Sequence, residues 1–155
     1  MPITGSDFFQ KFPDLVKEIT TERLDRGLAV AGMQLLRDSA EEVVGEEGGR
    51  TPLKEGFLRG SGSVHVQGRE TGNSRDSPGA KGGETAHSVS DVTQHNANQH
   101  EAIVAFNTPY AARLHEHPEY TFSRADEGFG GKFLESKMVA FKDDYMAVIA
   151  EELKK

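Results

Sequence analysis

The chain predicts an α+β domain: a long helical segment at each end with short strands between them. Three observations carry this. Leu24, Leu28, Ala31 and Leu35 recur at spacings of four, three and four, and Leu134, Met138, Phe141, Tyr145 and Ile149 step by four, three, four and four. Both are the period of an amphipathic helix. Between them, Ser63-Val64-His65-Val66-Gln67 alternates apolar and polar, and Ala102-Ile103-Val104-Ala105-Phe106 is apolar throughout. The first is the pattern of a strand with one buried face, the second that of a strand covered on two sides.

The first helix is expected over 13–44. Leu36, Ala40, Val43 and Val44 continue its apolar face, Pro13 suits the first helical turn, and Gly45 stands where a left-handed C-terminal cap would go. Gly27 and Gly32 lie inside it and cost about 1 kcal/mol each relative to Ala, which points to a break near Thr20-Thr21 or to close packing at the glycines. Glu46-Glu47-Gly48-Gly49-Arg50-Thr51-Pro52 reads as a turn-rich linker, followed by the short strand at 63–67.

Residues 69–100 hold no apolar side chain larger than valine and cannot fill a core by themselves. Residues 69–84 read as an exposed polar loop. Val89 and Val92 give 85–93 some strand character, with Asn96-Ala97-Asn98 placed to turn a hairpin into 101–106, the expected central strand. Thr108 is placed to cap a short helix, Pro109 fits its first position, and Pro118 ends it. The terminal helix is expected over 132–153, roughly 33 Å long.

At 155 residues the chain suits one domain, 1–155, yet only 35% of it is hydrophobic and its mean hydropathy is −0.57. The apolar material is thin for a compact monomer. With no cysteine there is no disulfide, thiolate nucleophile or Cys-based metal site. The net charge is −7, from 25 acids against 18 bases with no basic block, which argues against holding nucleic acid by its phosphates. An acidic wall would let a passing duplex slide by without sticking. Met1-Pro2-Ile3-Thr4-Gly5-Ser6-Asp7 has no basic and apolar leader pattern, and no apolar run is long enough to span a membrane, so a soluble protein made in the cytoplasm is expected.

Three groups invite a chemical reading, and each has a plainer one. His115-Glu116-His117, with His95 and His100 upstream, suggests a metal; but histidines at i and i+2 point about 200° apart on a helix, whereas a shared ion needs i and i+4. Glu116 and Glu135 could pair as glycosidase carboxylates; with no Trp and three Tyr the chain is poor in sugar-stacking rings. The plain reading pairs Glu116 with a backbone group or an Arg and lets Glu135 complement a helix dipole. Gly128-Phe129-Gly130-Gly131-Lys132 lacks the phosphate-loop spacing, and Phe133 stands where the metal-binding hydroxyl is required. A flexible entry to the last helix fits it better. No catalytic residue, cofactor or metal is expected.

Three motifs occur in order: Thr51, Pro52, Gly56, Leu58, Arg59, Gly60 and Ser61; then Pro109, Tyr110, Ala111, His115 and Glu116; then Gly131, Lys132, Phe133, Leu134 and Glu135. In this the chain resembles the minor capsid and tail-completion (head–tail joining) proteins of long-tailed bacteriophages. The resemblance spans about 51–155. Glu55 stands where that group often has threonine, and 69–100 is longer than a tight hairpin needs.

The resemblance implies a small, mostly antiparallel sheet flanked by the two long helices. It also implies a non-enzymatic virion protein of the neck, repeated as a ring of six or twelve copies joining head to tail, with genome DNA passing through the channel without specific binding and other neck, connector and tail proteins as partners. Leu58, Arg59, Tyr110, Arg113, His115, Glu116, Phe133 and Glu135 are then the expected scaffold and interface residues. Other readings are a tail terminator ring, a peptidoglycan hydrolase, a metal-binding adaptor or a toxin–antitoxin component.

Overall fold

A computed structural model describes residues 5–41, 50–52, 56–77, 79–81, 100–122 and 130–155. In chain order the elements are α1 (Gly5–Ala40), α2 (Phe57–Gly60), β1 (Gly62–Val66), β2 (Arg69–Asn73), β3 (Ala102–Phe106), α3 (Ala111–Glu116), α4 (Glu135–Ala140) and α5 (Lys142–Lys154). The fold is α+β, a three-stranded antiparallel sheet with a long N-terminal helix and a C-terminal helix. α1 is the spine, packing on all three strands and on α5.

Two glycines inside α1, Gly27 and Gly32, serve close packing. A Cβ at Gly32 would lie 2.6 Å from Cγ1 of Val64, and one at Gly27 would lie 3.1 Å from Cα of Ile149. These positions bring α1 down on the sheet and α5 onto α1. Ala31, Leu35 and Tyr145 form the buried core between the two helices, with Val104, Phe141 and Ile149 packed around them. The Tyr145 hydroxyl donates to Asp38 at 3.0 Å.

Element boundaries differ from expectation for identifiable reasons. α1 begins upstream of Pro13, which sits inside it on an exposed turn; the one backbone bond a proline forfeits does not stop a helix of 36 residues. Its described span ends at Ala40, where the Ser39 carbonyl accepts both the N–H and the hydroxyl of Thr51, each at 2.8 Å; Val43 and Val44 lie outside the described residues. The terminal helix starts at Glu135, since Lys132 has a left-handed φ of 54°, and it breaks at Phe141 (φ −107°, ψ 20°). The break leaves Met138, expected on the packed face, 51% exposed.

The sheet order is β2-β1-β3, so among the described residues β1 is the middle strand and is buried at every position, while β3 is half-buried throughout. That reverses the expected roles. β2 lies inside the stretch expected as loop: Gln67 (φ 50°) and Gly68 (φ 78°) make a tight two-residue turn of the kind that matches strand twist. Beyond β2 the chain packs back, with the Lys81 N–H donating to the Gly56 carbonyl at 3.0 Å. Gly45, Glu55, the expected strand at 85–93, His95, the expected turn at 96–98 and the Gly128-Phe129 pair lie outside the described residues.

Candidate functional site

The three sequence motifs converge where α2, α3 and the turn before α4 meet. Leu58 from α2, Ala111 from α3 and Phe133 form one buried cluster, with Phe106, Leu114 and Leu134 against it. Phe133 is 1% exposed. Its ring meets Phe106 edge-on at 5.3 Å and His115 edge-on at 4.9 Å between centroids. Two perpendicular aromatic contacts on a fully buried ring make it the anchor of this junction.

Polar groups lock the same junction from outside. The Lys132 N–H donates to the His115 carbonyl at 2.8 Å, and its ammonium reaches Glu116 at 2.6 Å and Glu135 at 2.8 Å. His115 Nδ1 lies 2.7 Å from Glu116 Oε1, and Nε2 accepts from the Glu135 N–H at 3.3 Å. These partners assign the imidazole proton to Nδ1, because a carboxylate accepts and a backbone N–H donates. His115 thus satisfies one of the orphan N–H groups at the start of α4, which has no side-chain cap at Leu134. Gly131 is required here: a Cβ would lie 2.7 Å from Cα of Pro118.

This arrangement fixes the protonation chemistry. The Lys132 ammonium and then His115 hold the Glu116 carboxyl below the usual carboxylate value, and Glu116 and Glu135 hold the Lys132 ammonium above its ordinary one. Both shifts favour the charged forms, a carboxylate on Glu116 and an ammonium on Lys132.

Glu116 and Glu135 do meet, as the paired-carboxylate reading required, but around a shared lysine. His115, Glu116 and Glu135 place one ligand atom each within 4.8 Å of one another. Such a set could hold a divalent ion only by displacing Lys132. The two histidines diverge, His117 pairing with Glu119 at 2.6 Å.

Arg113 and Tyr110 sit on an adjoining face. The Arg113 guanidinium donates to the Tyr120 hydroxyl at 3.1 Å and lies 5.6 Å from the centre of its ring, which stacks on His117. Beside them runs an open groove of about 500 Å³ lined by Pro52, Phe57, Leu58, Tyr110 and Leu114. Tyr110 is 43% exposed. Arg59 points elsewhere, buried, with Nη2 3.5 Å from the Thr51 carbonyl.

The eight residues expected as scaffold and interface therefore divide. Leu58, His115, Glu116, Phe133 and Glu135 form the junction, Arg59 supports α2, and Tyr110 and Arg113 face outward. Thr108 does not cap α3: its hydroxyl is buried without a partner and its carbonyl accepts from the Ala111 N–H at 3.0 Å. Sequence reasoning passed over Lys132 as the central cation, although its spacing of three from Glu135 was visible. It also missed Tyr120, for which only the spacing of seven from Arg113 gave a signal.

The chain matches no protein-family model, no curated protein and no solved structure.

Proposed function

We propose that this protein is a non-enzymatic structural component of the neck of a long-tailed bacteriophage, a minor capsid or tail-completion protein that forms a ring joining head to tail. The observation that carries the reading is the meeting of the three motifs at one packed junction. Its ionisable groups are spent on each other: Lys132 on two carboxylates, His115 on Glu116 and a helix start. A site built this way holds elements at fixed angles and offers no free acid, base or nucleophile. The thin apolar composition supports completion by neighbouring subunits, and head-to-tail contacts that close give rings. The acidic balance suits a channel that lets DNA pass.

Tyr110 and Arg113 are the residues through which this face would contact a neighbour. Being on the surface, they separate assembly from folding. Tyr110→Ala with Arg113→Ala in the phage genome leaves the protein folded and soluble, and filled heads and unattached tails accumulate. Normal tailed particles from that variant would overturn the assignment.

A further inference from the structure

α5 has a second face that no other element among the described residues covers. Its inner side, Tyr145, Val148 and Ile149, packs on α1. Its outer side carries Asp143, Met146, Ala147, Ala150, Leu153 and Lys154, all exposed. Met146 is 56% and Leu153 37% exposed, and Val139 of α4, seven residues before Met146, is 74% exposed. Within α5, Asp143, Met146, Ala150 and Leu153 step by three, four and three, the spacing of a helix-pairing seam.

The charges on this face identify what fits it. Asp143 closes one end and Lys154 the other, eleven residues or roughly 16 Å apart along the axis. An antiparallel copy of the same helix, centred between Ala147 and Ala150, sets each Asp143 beside the other copy's Lys154 and lays Met146 against Ala150 and Leu153. The alanines at the centre allow the axes to approach to about 8 Å. Lys154 is free to turn, because its present partner is Glu151 on the same helix and both side chains are about 70% exposed.

We infer that the outer face of α5 is a two-fold contact at which a second copy of this chain binds antiparallel. The contact is isologous, so it is distinct from the head-to-tail contacts of a ring and stands or falls independently of the neck reading. A single helix pair buries less than the roughly 800 Å² per partner of a stable complex, so the dimer forms in a concentration-dependent way.

Sedimentation velocity on the full chain between about 10 and 500 µM, the range in which weak contacts of this size are read, tests this directly. Asp143→Lys and Lys154→Asp each place like charges at both ends and weaken dimerisation about tenfold, roughly two disrupted exposed pairs. An equimolar mixture of the two variants restores it, because antiparallel pairing then sets opposite charges together at both ends. Met146→Glu abolishes it. Circular dichroism of each variant matches the parent, since all three residues are exposed. A parent chain that stays monomeric at the top of the range overturns the inference, as does a mixture that associates no better than either variant alone.

Discussion

Phe133→Ala is the perturbation that weighs the junction most directly. The side chain is 1% exposed, clustered with Leu58 and Ala111 and in edge contact with two rings. Truncating a buried phenylalanine costs about 3–5 kcal/mol through lost transfer energy and the cavity left behind. The wall facing that cavity is tied by the Lys132 and His115 bonds, which hinders collapse and puts the cost in the upper half of the range. For a domain of this length, about 4 kcal/mol lowers the melting temperature by roughly 8–16 °C. Urea unfolding followed by circular dichroism gives the difference with an unchanged slope. Met138→Ala, at a half-exposed position, changes stability by less than about 0.5 kcal/mol and serves as the control. A cost below about 1.5 kcal/mol for Phe133→Ala would refute the anchoring role, because only an unpacked ring loses so little.

Other outcomes follow from single contacts. Gly32→Ala destabilises by about 1–3 kcal/mol in urea unfolding although alanine is the better helix former, because the new methyl meets Val64; adding Val64→Ala recovers much of the loss. His65 is 1% exposed on β1 with neither ring nitrogen bonded, so His65→Leu raises the melting temperature, by the equivalent of about 1 kcal/mol. Glu116→Gln exposes the pH dependence of the junction. The Glu116 carboxyl is held below its ordinary 4.5, so its contribution is complete above that value and disappears as pH falls through the lower folded one. Lys132 is held above its ordinary 10.5, so its contribution is complete below that value and is lost as pH rises through the higher folded one. The difference in melting temperature between parent and variant is therefore flat between about pH 5 and pH 10 and shrinks in stronger acid.

Periodicity made the spine of the fold legible and left its ends obscure. The steps through Leu28, Ala31 and Leu35 and through Tyr145 and Ile149 name the faces that meet, and Gly27 and Gly32 mark the points of close approach. The tie at the described end of α1 was hidden because a distant residue, Thr51, takes the Ser39 carbonyl. β2 was hidden because an exposed edge strand needs no apolar side chains, and Arg69-Glu70-Thr71-Gly72-Asn73 has none. Its signal was Gln67-Gly68, a left-handed pair between alternating residues.

The candidate site was legible as a set of residues and not as a mechanism of contact. Proximity of Glu116 to Glu135 depends on the left-handed turn at Lys132, which a spacing of nineteen residues cannot reveal. His117 lies past the end of α3 at φ −116°, ψ 72°, so the helical spacing assumed for the two histidines does not set its direction, and Glu135 arrives beside His115 from another helix.

Electron microscopy of the intact phage particle tests the central claim. The account predicts a closed ring of this fold at the head–tail junction, encircling the DNA channel, with Tyr110 and Arg113 at a contact between chains. Particles that contain no copy of the chain, or that carry it away from the neck, would contradict it.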